Sequence, residues 1–229
     1  MVSLGIDCSG DWTSIALLVD DTLLAEGCEK LDRDLLAELI PLVQRVMGKA
    51  NIPISAVDVF AVTTGPGSWT GIRVGVATVK ALAHALKRSL VGVNTLDMLA
   101  STQPISRERV YPVVEAGQGT LYVAGYSVSD PVPLRLTQFE RIGPGEISDH
   151  LEFPARIVSH SGEGFVNLIS EAVSGFPASV VCPEPRNLGV QVARLGARLV
   201  RERGSDDPFT MAPQYQLNGL NDEPYVNAC

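Results

Sequence analysis

The sequence predicts an α/β protein built from two similar halves, the second eroded relative to the first. Three observations predict it. Residues 2–94 read as three short strands followed by helix, strand, helix and strand. A poorer series in the same order begins at residue 110. In the first half a strand-like run meets a helix-like run at a glycine-rich turn, Gly-Pro-Gly-Ser-Trp-Thr-Gly-Ile-Arg-Val-Gly over residues 65–75. α/β proteins gather free N–H groups at such turns.

The elements follow in order. Residues 2–7, 13–19 and 22–28 read as strands, and the Asp20-Asp21 turn makes the last two a hairpin. Residues 33–48 show helical spacing, with Leu35, Leu36, Leu39, Ile40, Val43, Val46 and Met47 on one broad face. Asp32 is the expected N-cap, and Pro41 should kink this helix or remove one hydrogen bond. A strand at 57–63, a helix at 71–86 and a strand at 89–94 complete the first half. In the second half, 110–115, 120–128 and 133–138 read as strands. Shorter strands at 155–160 and 179–182 flank a helix near 164–173. Asn187 to Arg203 is a helix with Val190, Val192, Ala193, Leu195, Ala197, Leu199 and Val200 as its apolar positions. From Asp206 the tail, rich in Pro, Asn and Asp, should run extended. The expected domains are 1–100 and 101–229, with the final helix a candidate to pack back on the first. The element order resembles the ribonuclease-H-like half of the actin/hexokinase/Hsp70 (ASKHA) superfamily.

With 229 residues, 45% of them hydrophobic, the chain can form one large core or two small ones. No run approaches the roughly 18 uninterrupted apolar residues of a membrane span. No basic region precedes the first apolar residues and Asp7 interrupts them, so no signal peptide is expected. Cys8, Cys28, Cys182 and Cys229 show no Cys-x-x-Cys spacing, which suits reduced thiols in the cytoplasm. The net charge is −8. A protein that held RNA alone would carry a basic surface. Here Lys87-Arg88 and Arg107 with Arg109 are small clusters, and Arg198, Arg201 and Arg203 are interleaved with Glu202, Asp206 and Asp207. Any service to RNA should therefore run through a partner. His84, His150 and His160 form no His-x-x-x-His pair, so zinc-protease chemistry has no basis.

The turn at 65–75 matches neither common phosphate binder. A Walker loop would need glycine where Thr70 stands, and the dinucleotide fingerprint would need its third glycine one position before Gly71. Pro66 also lacks a donor. In the helix that follows, Gly71 and Gly75 lie four apart, as do Ala77, Ala81 and Ala85. Its apolar positions, Ile72, Val74, Val76, Val79, Leu82, Ala83 and Leu86, cover nearly the whole circumference, which predicts burial all round. One side should meet the sheet. The other should meet a second helix, either 33–48 or one from another protein. His84 on this helix reads as a core or interface residue. Arg73 reads either as an edge salt bridge or as an anion contact beside the loop. Asp7 ends the first strand beside Ser9, Thr13 and Ser14. It reads first as the cap of its own turn. In the superfamily's kinases this hairpin wraps phosphates, so Asp7 and Ser9 are also the candidates for a vestigial phosphate loop. Ser161-Gly-Glu-Gly164 is either a remnant of a second phosphate loop or a plain turn before a helix.

Four ordered segments carry a family resemblance. Residues 65–75 resemble the Gly-Pro-Gly-Ser signature of the TsaB (YeaZ) family. Leu4-Gly-Ile-Asp-Cys-Ser9 with Thr13-Ser-Ile-Ala-Leu17 resembles its opening hairpin. Residues 90–100 resemble its Leu-Val-Gly-Val-Ser/Asn-Thr-Leu-Glu run, and residues 110–122 the strand pair that opens its second half. The match is dense over residues 1–126. The resemblance implies two ribonuclease-H-like halves, the second degenerate, in a non-catalytic paralogue of TsaD. It implies work in making threonylcarbamoyladenosine at position 37 of tRNAs that read ANN codons. TsaD would transfer the threonylcarbamoyl group, this chain would pair with TsaD and hold it competent, and TsaE, an ATPase, would act on the pair. Alone, the chain would form a homodimer through the same two helices. The implied interface is Leu36, Ile40, Val43, Gly71, Arg73, Val74, Gly75, Thr78 and Leu82, and Gly75→Leu should disrupt it by filling the helix contact. The resemblance further implies no cofactor of its own, ATP or ADP at the partner complex, tRNA only through that complex, and no membrane. Two features depart from the pattern. Asp32-Arg33-Asp34 stands where many members have His-Ser, and Leu217 replaces the arginine after the Pro-x-Tyr at Pro213-Gln-Tyr215. The alternatives are a small ATP-binding kinase or ATPase centred on Asp7, and a homodimeric interaction protein unrelated to RNA.

Overall fold

A computed structural model describes residues 1–31, 34–130 and 132–214. Asp32, Arg33, Tyr215, Leu217 and Cys229, which carry expectations above, lie outside the described residues. The chain forms two units, one of Met1–Met98 with Glu184–Gln214, the other of Leu99–Pro183. The range 184–214 thus joins the first unit, although chain order placed it in 101–229.

The first unit is a five-stranded sheet in the order β3-β2-β1-β4-β5. Its strands are β1 (Val2–Asp7), β2 (Thr13–Val19), β3 (Thr22–Glu29), β4 (Val59–Gly65) and β5 (Ser89–Asn94). β1, β2 and β3 run antiparallel as a meander, whereas β4 and β5 run parallel to β1. Parallel neighbours need crossovers, and two helices supply them: α1 (Leu35–Ala50) and α2 (Trp69–Leu86). Alternate residues of the strands serve opposite faces. Leu4, Ile6, Ile15, Leu17, Phe60 and Val62 enter one buried cluster with Leu39, Val43 and Val46 of α1 and Ile72, Val76 and Val79 of α2. Burying each such side chain stabilises the fold by about 1.5–3 kcal/mol.

The opposite face carries small side chains and takes a further helix, α5 (Pro185–Arg203). Ala16 and Leu18 of β2 pack on Val190 and Ala193 there. The approach is backbone to backbone. A Cβ on Gly5 would collide with Ala193 N and Gly189 O, and one on Gly196 would collide with the Ala61 side chain. Ser14 fixes the helix start: its Oγ accepts from Gly189 N (3.0 Å) and donates to Arg186 O (3.1 Å).

α1 does not bury its whole apolar arc. Leu35, Leu39, Leu42, Val43, Val46 and Met47 are buried, but Leu36 is 80% exposed and Ile40 39%. Pro41 lies within a helix that continues to Ala50, where Asn51 turns the chain with φ of 53°. A short helix that sequence spacing did not show, α3 (Thr95–Ser101), follows β5. Thr95 to Ala100 are all buried, so its residues carry no amphipathic stripe. The division between the units falls inside it.

The second unit repeats the plan. Its strands are β6 (Arg109–Gly117), β7 (Thr120–Val123), β8 (Tyr126–Ser127), β9 (Leu134–Arg135), β10 (Glu140–Ile142), β11 (Ala155–Val158) and β12 (Ala178–Val181). The main path β10-β7-β6-β11-β12 has the same antiparallel and parallel sense as the first sheet. It is an actin-like duplication with a reduced second copy. A 3₁₀ turn at Pro144–His150 occupies the chain position of α1, and α4 (Glu163–Ala172) that of α2. The strand expected at 133–138 is only β9, paired with β8, and β10 takes the third place in the sheet. Pro133 has no donor to continue a ladder. The expected strand at 120–128 divides at Ala124-Gly125, where Gly125 O accepts from Leu136 N (2.7 Å) and draws the chain aside.

Two glycines test this packing. Gly5→Ala forces a methyl into the α5 backbone and should lower stability by about 1–3 kcal/mol. Gly48→Ala on α1 meets open space and should raise it by about 0.5–1 kcal/mol. Urea denaturation of both variants checks this, and equal midpoints would contradict the close approach of α5.

Candidate functional site

The glycine-rich turn is closed around the turn between β1 and β2. α2 begins at Trp69, two residues before the expected start, because Ser68 caps it: Ser68 Oγ accepts from Gly71 N (3.2 Å). Ser68 N donates to Ser9 O (2.7 Å). A Cβ on Gly67, where φ is 148°, would strike Ser9 O, and one on Gly71 would strike Cys8 O. These two glycines allow the loop and the first turn of α2 to lie directly on the hairpin turn.

Asp7 is fully buried beneath this contact. Its Oδ1 accepts from Ser9 N (3.0 Å), Ser9 Oγ (2.6 Å) and Thr63 Oγ1 (2.8 Å). Cys8 N donates to the same Thr63 hydroxyl (3.3 Å). Among the described residues Asp7 Oδ2 has no hydrogen-bond partner. The structure thus brings Asp7 and Ser9 together and adds Thr63, which the sequence marked only as the end of a strand. A phosphate needs free N–H groups. The N–H groups of Cys8, Ser9 and Ser68 and the Ser9 hydroxyl are instead engaged within the protein, and the carboxylate adds a like charge. Those donors are therefore not offered to a phosphate. Ser161-Gly-Glu-Gly164 opens α4 as a plain turn, with Phe165 N donating to Gly162 O (3.0 Å).

The Cys8 thiol lies against α2, and burial, reinforced by the Asp7 charge, pushes its pKa far up, with a Thr13 hydrogen bond opposing. Burial pushes Cys28 up to about 11. A Cβ at Gly75 would stand 3.3 Å from Cys8 Sγ and from Val62 Cγ2. Gly71, Gly75 and Val43 are therefore buried inside this chain, which corrects their expected place in a partner contact. Gly75→Leu would disturb the core rather than fill a helix contact.

α2 is not buried all round. Arg73, Ala77, Ala81, His84 and Ala85 are exposed, while Val74, Thr78 and Leu82 are half-buried. With Leu36 and Ile40 of the adjoining α1, the alanines, Val74 and Leu82 make an outward apolar patch bordered by Arg73 and His84. Arg73 stacks its guanidinium 3.8 Å over the Trp69 ring. His84 sits at the surface, edge-on to Phe209 at 5.5 Å. Among the described residues no three His, Cys, Asp or Glu side chains gather as a metal site, and no helix is long and apolar enough to cross a membrane.

Fold and site together define an actin-like α/β protein whose glycine turn is closed on itself and whose first helix pair faces outward. Residues 29–133 match the family profile described as "TsaD: tRNA N6-adenosine threonylcarbamoyltransferase". The tRNA threonylcarbamoyladenosine biosynthesis protein TsaB of Bacillus subtilis strain 168 is 26% identical over 226 residues, 94% of this chain and 93% of that one. Its counterpart in Escherichia coli K12 is 30% identical over 125 residues, 54% of each chain. The structure of YeaZ from Pseudomonas aeruginosa matches with a TM-score of 0.74 and 22% identity, covering 93% of this chain and 98% of that one. The likeness to TsaB (YeaZ) proteins thus runs over nearly the whole chain, and the likeness to the transferase profile over residues 29–133.

Asp7→Ala should lower stability by about 1.5–3 kcal/mol, because it strands buried donors on Ser9 and Thr63. Asp7→Asn, which can keep the Oδ1 acceptor, should cost less. An Asp7→Ala protein with an unchanged denaturation midpoint would rule out the clamp. Alkylation at pH 8, mapped by mass spectrometry, should modify exposed Cys182 before Cys28, and Cys8 only after unfolding. Early modification of Cys8 would contradict its seat beneath α2.

Proposed function

We propose that this protein is the non-catalytic subunit of a cytoplasmic assembly that places threonylcarbamoyl on N6 of adenosine 37 in tRNAs reading ANN codons. Its partner is a TsaD-type paralogue, which performs the transfer. A TsaE-type ATPase acts on the pair, tRNA is reached through the complex, and the chain needs no cofactor of its own. ATP or ADP belongs to the partner complex.

One observation carries this reading. The outward face of α1 and α2 lies within residues 29–133, the stretch that matches the transferase profile. The transferase family therefore carries the counterpart of this helix pair. Two equivalent faces can meet about a pseudo-twofold axis, with each surface meeting its counterpart. Exposed Leu36 and Ile40 supply apolar contact, and Ala77 and Ala81 let a facing helix come close. The same face can pair with a second copy when the paralogue is absent. The closed Asp7 turn supports a non-catalytic role, and the net charge of −8 supports reaching tRNA through a partner.

Light scattering after gel filtration should show a one-to-one complex with the TsaD-type protein of the same organism, replacing any homodimer. Leu36→Arg should weaken that complex about thirtyfold or more while leaving the melting temperature unchanged. The reconstituted complex should modify tRNA, and loss of this chain should abolish the modification. ATP turnover by the chain alone, lost in Asp7→Asn, would refute the reading in favour of a kinase or ATPase. Normal tRNA modification without the chain would refute it in favour of an unrelated interaction protein.

A further inference from the structure

After α5 the chain does not leave the first unit but returns along its sheet as a strap. Asp206 N donates to Leu90 O (2.8 Å), Leu90 N to Ser205 Oγ (2.9 Å) and Gly92 N to Asp206 Oδ2 (2.8 Å), so the strap covers the outer edge of β5. A turn follows, in which Phe209 N donates to Asp207 Oδ1 (2.8 Å) and Met211 N to Asp207 O (2.9 Å). Lys80 Nζ on α2 then donates to Met211 O (2.7 Å), and the Met211 side chain packs on the core of the unit. The far end is fixed at β4 and β5, where Gln214 N donates to Thr64 O (2.7 Å) and Asn94 Nδ2 donates to Gln214 Oε1 (3.1 Å).

This pinned segment holds Phe209 at the surface, 80% exposed, with its ring edge-on to His84. Lys80 and His84 lie one turn apart on one flank of α2, whereas Val74, Thr78 and Leu82 lie on the other by helical spacing. Exposed Ala77 and Ala81 run between the flanks. The outward surface therefore continues from Leu36 and Ile40 across α2 to Phe209. A large aromatic held in water by a network of hydrogen bonds adds little to the stability of the chain alone. It has the chemistry of an interface anchor, which loses little rotamer freedom on docking.

We infer that Phe209, presented by the 204–214 strap beside His84, is an anchor of the partner interface and that the TsaD-type paralogue occupies it. The inference rests on the partner reading of the α1–α2 face. Continuity with that face supports it.

The test measures the dissociation constant of the full-length chain and the TsaD-type protein by calorimetry, and self-association by sedimentation. Phe209→Ala should weaken the heterodimer about tenfold or more. Phe209→Tyr should keep most of the affinity, and neither variant should change the melting temperature. An unchanged heterodimer in Phe209→Ala, with Leu36→Arg still abolishing it, would overturn the inference and leave the helix-face reading intact. Weakened self-association with an unchanged heterodimer would overturn it too, by making the occupant a second copy. If neither Leu36→Arg nor Phe209→Ala weakens the heterodimer, the helix-face reading falls with it.

Discussion

The contact between the β1–β2 turn and the glycine-rich loop sets the geometry of the first unit. Asp7 holds Ser9 and Thr63 at once, and so joins the end of β1 to the end of β4. Ser9 O then receives the amide of Ser68, the residue that caps α2. Gly67 and Gly71 make the approach feasible, since any side chain there would strike a backbone oxygen of the turn. The start of α2, and with it the direction of its outward side, is a consequence of one buried carboxylate. A sequence motif that looks made for phosphate here binds its own hairpin.

The two faces of the first sheet solve different problems. On one, Gly5, Ala16 and Ala61 meet glycine and alanine of α5, and close dispersion contacts replace large side chains. On the other, branched and aromatic residues build a thick core beneath α1 and α2. That core consumes only part of each helix. What remains outward includes Leu36 and Ile40 on α1 and three alanines on α2, an apolar patch with little reason to exist on a chain that works alone.

Much of this was legible in the sequence. The first five strands, α1, α2 and α5 appeared because period-2 and period-3.6 patterns survive wherever an element has one wet side. α3 has no wet side, and β10 is too short to show alternation. Other misreadings share a physical cause. Leu36 and Val43 stand on the same arc by spacing, yet the sheet covers only the part that holds Val43, and no local pattern reveals where cover ends. Gly71 and Gly75 announce a close neighbour without naming it, and the neighbour is Cys8, far back in the chain. The cluster around Asp7 depends on Thr63, 56 positions away, and residue spacing carries no trace of such a meeting. The strap was visible only as a polar, extended tail, because its bonds run to the backbone of a distant strand.

The return of α5 has a consequence for biosynthesis. Leu99–Pro183 lie between the two pieces of the first unit. During translation the strands of that unit emerge first, and the face bearing Gly5, Ala16, Leu18 and Ala61 stays bare until Arg203 clears the ribosome. The second unit, contiguous among the described residues, has all its described strands and its helix α4 before then. Among the described residues, the order of completion is therefore the reverse of the order of synthesis. Closure of the first sheet by α5 is thus a long-range event of the kind that slows folding.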